Sequence, residues 1–216
     1  MTIAGSNQGF GDPLPIGGTD IQTYLAEAAI ELFYERGAVA TTVRDITHAC
    51  GLTPGALYNH FASKDELLYL IVWDIHRQVD EQLGELLGSG PTDPPAQLAA
   101  AVKFLVSHTA GFKKRSRVAN REFTLLSGSR RQEVTTLRRH LRDRFAEVIL
   151  AGARQGEFHL VGGQDIGAAT LHAATITTMC VRISEQALAN YPMSIGDLQD
   201  RHAELALRMV GAQRSY

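Results

Sequence analysis

No lysine or arginine precedes Arg36, only two cysteines occur in 216 residues, and no apolar run approaches the roughly 20 residues needed to cross a bilayer. The missing run excludes a helical membrane protein. The first residues, MTIAGSNQGFGDPLPIGGTD, carry neither the basic nor the apolar block that directs export, so the chain is expected in the cytoplasm. Cys50 and Cys180 are then expected as separate, reduced, buried thiols. Catalytic signatures are missing too. The eight histidines form no HExxH or paired metal spacing, and neither GxSxG nor a P-loop occurs. The glycines from Gly162 to Gly167 follow no predicted strand, which excludes a dinucleotide fingerprint. No enzyme activity, metal or cofactor is expected. Alternating polar and apolar residues never persist long enough to demand a sheet.

What remains is an ordinary globular composition, 44% hydrophobic and 20% charged, with apolar residues at helical spacing. Residues 1–19 are rich in Gly and Pro and are expected to form a flexible tail. A first helix starts at Asp20 or Thr23, carries Leu25, Ala29, Leu32 and Phe33 on one stripe, and stops at Gly37. A long helix from Lys64 to about Leu87 breaks in GSGPTDPP, Gly88 to Pro95. Further helices are read as Ala96 to Phe112, Ser116 to Ser127, Arg130 to Gln155, Asp165 to Asn190 and Ser194 to Val210. The expected fold is all-α: a helix-turn-helix head over 20–68, then a ligand-binding and dimerisation domain over 69–216, joined by the helix 64–87.

The most specific segment is TTVRDITHACGLTPGALYNHFASKDELL, residues 41 to 68. Thr42 and Asp45 have the spacing of a capping box for a helix whose inward face is Val43, Ile46 and Ala49. Gly51 tolerates the left-handed backbone that ends a helix, and Leu52 can fold back onto the apolar face. Thr53 is a second cap, and Pro54 sits at the first helical position, where its missing N–H costs nothing. In the helix from Pro54 to Phe61, Leu57 and Phe61 face the core, leaving Gly55, Ala56, Tyr58, Asn59 and His60 outside. Small and hydrogen-bonding side chains of this kind suit a DNA major groove, where phosphates position the protein and base edges specify sequence. Ser63 and Glu66 repeat the capping-box spacing, with Lys64 in the first turn free to reach a phosphate.

In order and spacing these residues resemble the TetR family of bacterial transcriptional regulators, through Leu32-Phe33, Arg36-Gly37, Thr41-Thr42-Val43-Arg44-Asp45-Ile46, Gly51-Leu52-Thr53, Gly55-Ala56-Leu57-Tyr58, His60-Phe61 and Ser63-Lys64-Asp65-Glu66-Leu67-Leu68. The resemblance covers residues 25 to 72. It implies an all-α homodimer on a palindromic operator, usually a repressor, released when a small molecule enters its C-terminal domain. It also carries phosphate contacts onto Thr42, Thr53, Tyr58, His60 and Lys64. With Arg44, Pro54, Gly55, Ala56 and Asn59 these make up the expected DNA surface. Many members have a basic arm before the first helix. The lack of any cation before Arg36 argues against a minor-groove contact of that kind.

The net charge of −2 hides an asymmetry, since Lys113 to Arg144 contains eleven basic and three acidic residues. Arg115, Arg117 and Arg121 flank SRVANREF, and guanidinium forks match carboxylate or phosphate oxygens two at a time, which points to an anionic ligand. Solvated helix faces answering the acidic remainder across a dimer are the equal alternative. Phe104, His108, Phe112, Phe123, His172, Thr175 and Met179, with Leu126, are candidates for a pocket wall. AATLHAATITTMCV is small and apolar almost all round, which suits a dimer bundle built from the last two helices. The C-terminal half resembles one TetR branch, which senses acyl-CoA thioesters of fatty-acid or sterol breakdown, through Arg117 to Phe123 and Tyr191-Pro192 to Met209. That implies CoA phosphates on the cationic cluster and an acyl chain in the pocket. Two other readings stay open: a regulator of efflux or detoxification responding to a neutral or aromatic lipophile, and a helical lipid-binding protein without DNA affinity.

Overall fold

The computed structural model describes residues 20–184 and 193–212, which fold into α-helices and short 3-10 turns with no strand among them. The expected tail of residues 1–19, the Tyr191-Pro192 pair and the expected end of a helix at Asn190 lie outside the described residues. Helices α1 (Asp20–Arg36), α2 (Val43–Ala49) and α3 (Pro54–Tyr58) form the head, and α4 (Lys64–Ser89) leads out of it. The rest comprises α5 (Pro94–Gly111), α6 (Lys113–Glu122), α7 (Gly128–Arg154), α8 (Ile166–Val181) and α9 (Ile195–Met209). Two 3-10 turns, Phe123–Leu125 and Arg182–Ser184, follow α6 and α8.

Local chemistry accounts for most boundaries. Helix α5 starts at Pro94, two residues ahead of the expected Ala96, because the Asp93 side chain accepts from the Ala96 N–H at 3.0 Å and prolines are harmless in a first turn. Phe112, at φ −107 and ψ 44, leaves helical geometry, so the chain corners there and α6 begins at Lys113 rather than Ser116. The penultimate helix gives way at Arg182 to a 3-10 turn. Asp165 caps its start through the Ala168 N–H at 2.9 Å.

Two cores hold the chain. The first joins Leu25, Ile30 and Phe33 of α1 to Ile46, Leu57 and Phe61 and to Leu67 and Ile71 of α4. Burial of each such side chain stabilises by about 1.5–3 kcal/mol. Val118 and Ala119 of α6 and Val134 of α7 belong to this same core. The core of the head thus continues into α6 and α7. The second core packs Val79 and Leu83 of α4 with Leu98 and Leu105 of α5, Phe145 and Ile149 of α7, Ile176 of α8 and Ala206 of α9. In α1 the inward stripe keeps the expected Leu25, Ala29 and Phe33 and adds Ala26 and Ile30, while Leu32 is only half-buried. Gly152 meets the buried Phe158 ring so closely that a Cβ there would lie 2.3 Å from it.

Candidate DNA-reading surface and ligand cavity

The head's turn is built as its residue types dictate. The Thr42 N–H and hydroxyl both donate to Asp45 Oδ2, at 2.8 and 2.7 Å, and the Asp45 N–H returns to Thr42 Oγ1 at 3.2 Å. These bonds to Thr42, helped by the Arg36 guanidinium at 3.0 Å, hold the Asp45 carboxyl below the usual carboxylate range. At the other end of α2, Gly51 has φ 67, its N–H donates to His48 O at 3.0 Å, and the Leu52 N–H donates to Thr47 O at 2.8 Å. This is the paired closure that only a left-handed residue permits. The inward face of α2 is Ile46 and Thr47, with Val43 partly buried against the same core, whereas Ala49 is not part of it. The Thr47 hydroxyl satisfies itself on Val43 O at 3.0 Å, and Ala49 is exposed.

The recognition helix α3 is shorter than expected, ending at Tyr58 with Asn59 as its C-cap. Leu57 and Phe61 are buried as their spacing requires. Thr42, Arg44, Thr53, Pro54, Gly55, Tyr58 and Asn59 are exposed, and Ala56 and His60 are half-buried. The Tyr58 side chain is 58% exposed, a large aromatic with little protein around it. Thr53 does not cap with its side chain, which leaves its hydroxyl open to an outside partner. At Gly55 an added Cβ would meet nothing in the chain closer than Thr53 Oγ1 at 4.0 Å.

Two expectations about the start of α4 change. Ser63 accepts from the Glu66 N–H at 3.1 Å, but the Glu66 carboxylate takes the N–H of Ala62 instead of closing the box on Ser63. The Lys64 ammonium is not free. It donates to the carbonyls of Ala38 and Thr41 at 2.6 and 2.7 Å, pinning the α1–α2 turn to α4 and leaving one N–H for a phosphate.

Behind the head, α4 to α8 enclose a cavity of about 280 Å³. Ile75 and Val79, Leu105 and Leu141 supply apolar wall. His76, His108, Thr109, Ser116, Asn120, Arg138, Thr177 and Thr178 supply polar groups, with Val181 and Arg182 at the end of α8. His108 is the one expected wall residue that lines it. Burial pushes His76 down to about 3 and His108 to about 4, reinforced by Arg138 and Arg115 respectively, so both imidazoles are neutral near pH 7.

The other expected ligand residues lie elsewhere. Phe104 is buried in the second core, with its ring 6.1 Å from that of His108. Phe112 and Arg115 face a groove against α1, where Arg115 pairs with Glu27 at 3.5 Å. The Arg117 guanidinium lies 5.1 Å over the Tyr34 ring. Arg121 bonds the Phe33 carbonyl and Glu122. Phe123 sits beneath the guanidinium groups of Arg131 and Arg138. His172 bonds its own helix at Ala168 O, 2.8 Å away, Thr175 is exposed, and Met179 packs on the second core. The physical reason is rotation. Ser116 and Asn120, four apart, take the inner face of α6, so Arg117 and Arg121 fall on the face toward α1. Likewise α8 turns Thr177 inward, with Val181 and the exposed Thr178 bordering the cavity.

Among the described residues no group of acids, histidines or cysteines could hold a metal ion, and no helix is long and apolar enough to cross a membrane. The chain is 35% identical over 146 residues to the HTH-type transcriptional repressor KstR2 of Rhodococcus jostii (strain RHA1), spanning 63% of this chain and 67% of that protein. A bacterial regulatory protein of the tetR family from Rhodococcus RHA1 superposes with a TM-score of 0.83 at 30% identity, over 91% of this chain and 100% of the other. AibR in complex with isovaleryl coenzyme A and operator DNA shares the fold, at TM-score 0.76 and 19% identity over 90% and 100% of the two chains. The bacterial regulatory proteins of the tetR family match residues 25–69 and the tetracyclin repressor-like C-terminal domain matches residues 91–210, so this chain belongs to the TetR family of transcriptional regulators and is not an enzyme.

Proposed function

We propose that this TetR-type repressor holds its operator through the exposed surface of α2 and α3 and lets go when an effector occupies the cavity between α4 and α8. The DNA contacts proposed are Thr42, Arg44, Thr53, Pro54, Gly55, Ala56, Tyr58, Asn59 and His60, with the remaining N–H of Lys64. The observation that carries the release mechanism is the two-sidedness of α6. Its Ser116 and Asn120 line the cavity, while Lys114 pairs with Glu31, Arg115 with Glu27, and Arg121 with the Phe33 carbonyl, all on α1. A ligand that prefers a displaced α6 thereby favours a displaced head, and operator affinity falls by the ratio of its affinities for the two states.

Release of both half-sites together requires two copies. We propose a homodimer through α8 and α9, whose apolar side chains Ile166, Leu171, Ile195 and Leu205 are left exposed among the described residues. The effector class proposed is an acyl-CoA thioester of lipid or sterol catabolism. Support comes from the KstR2 relationship and from the isovaleryl coenzyme A bound to AibR. The arginines at 115, 117 and 121 are engaged by α1 and offer such a ligand no free cluster. Titrating the protein on its operator with acyl-CoAs of graded chain length tests the effector. Release by a thioester is expected, whereas release by neutral lipophiles alone would replace the thioester with an efflux-type inducer.

A further inference from the structure

We propose that the cavity reads an oxyanion, the carboxylate or phosphate end of an amphiphilic effector, through Arg138, with Ser116 and His76 as flanking donors; this rests on the effector reading above. Arg138 Nη1 donates to Asn120 Oδ1 at 3.2 Å, and the guanidinium carbon lies 4.7 Å from the centroid of the Phe123 ring. Among the described residues no carboxylate pairs with it. On the same helix Arg142 pairs with Asp143 at 2.6 Å and Arg144 with Asp80 at 2.9 Å. Arg138 is thus left with a neutral amide and a ring, which offset only part of the cost of a half-buried charge.

Two further groups at the same wall support the reading. Ser116 Oγ and His76 Nε2 are out of solvent contact and have no hydrogen-bond partner among the described residues. Burying a polar group without a partner is costly, so two such groups beside a guanidinium that no carboxylate pairs are unusual for packing alone. The Asn120 amide is already oriented, its Nδ2 donating to Ser116 O at 2.8 Å and its Oδ1 receiving Arg138. Its second Nδ2–H remains available to an anion. A guanidinium has five N–H groups, a hydroxyl can donate, and a neutral imidazole can donate from Nε2. Burial keeps His76 neutral, so it adds no second charge. Ile75, Val79 and Leu105 offer apolar wall to the remainder of the ligand. At about 280 Å³ the space suits a compact apolar group with one anionic end, and a nucleotide thioester would leave part of itself outside.

Isothermal titration of the intact protein with decanoate, 1-decanol and decanoyl-CoA, for wild type and Arg138→Gln, tests this. Decanoate or decanoyl-CoA should bind, 1-decanol should bind at least tenfold more weakly, and Arg138→Gln should weaken the anion by about tenfold to a hundredfold. The acid arm and the thioester arm separate a carboxylate from a phosphate source. Should Arg138→Gln not fold, Arg138→Lys keeps the charge without the fork and is expected to lose part of the affinity. Equal binding of 1-decanol, undiminished binding by the folded variant, or no binding of either anion would overturn the proposal. Operator release by a neutral lipophile that is unchanged in the variant would overturn it while leaving the cavity as the effector site.

Discussion

The Arg121 guanidinium, on the outer face of α6, donates to the Phe33 backbone carbonyl in the last turn of α1. One side chain therefore ties the element that lines the cavity to the first helix of the reading head. Its second bond, to the buried Glu122, fixes the fork that makes the tie directional.

Replacing Arg121 with Gln is expected to uncouple the two sites more than it harms either. Effector affinity should stay within about threefold of wild type, because Arg121 is outside the cavity. The ligand-induced drop in operator affinity should shrink by about fivefold or more, a coupling loss in the usual 1–3 kcal/mol range. Operator titrations with and without saturating effector read both numbers. An unchanged drop would move the coupling from Arg121 to α4 or to the Lys114–Glu31 and Arg115–Glu27 pairs.

Gly152→Ala should destabilise the second core. An Ala Cβ would lie 2.3 Å from the Phe158 ring, which is 1% exposed and has nowhere to go. The expected cost is about 1–3 kcal/mol from overpacking, exceeding the gain of up to about 1 kcal/mol in helix propensity. A denaturant melt monitored by helical circular dichroism measures it. The pair Gly152→Ala with Phe158→Leu should recover part of the loss, since a smaller partner leaves room.

Acid should weaken the fold before it protonates most carboxylates. Burial lowers His76 and His108 to about 3 and about 4, while in the unfolded chain both titrate near the ordinary imidazole value of 6.5. The unfolded state therefore binds protons first, and stability falls as pH drops from about 6.5 toward about 4. Thermal melts between pH 7.5 and pH 5 should show a falling melting temperature, and His108→Gln should flatten the slope.

The parts legible in the chain were those set by neighbours in sequence. Thr42 with Asp45, and Gly51 with Leu52, are closed by bonds three to five residues long, so residue type and spacing were enough. Leu57 and Phe61 were placed correctly for the same reason. The cavity was not legible. Helix α8 is small and apolar almost all round, so no stripe says whether His172 and Thr175 or Thr177 and Thr178 line the cavity. In α6 the density of arginines drew attention to Arg117 and Arg121, whereas the groups turned inward are Ser116 and Asn120, which carry no charge signal. Arg138 lay within the same basic stretch. Only packing against Asn120 and Phe123 distinguishes it from its neighbours.

The most direct test of the whole account is an anisotropy titration of the protein onto duplex DNA from upstream of its own gene, run at several salt concentrations for wild type and Tyr58→Ala. The account predicts a steep fall of affinity with salt, and a loss of about tenfold or more in Tyr58→Ala at an unchanged melting temperature, because that side chain is 58% exposed and spends its interactions outside the fold. Binding that ignores salt, or a Tyr58→Ala protein that binds as tightly as wild type, would contradict it.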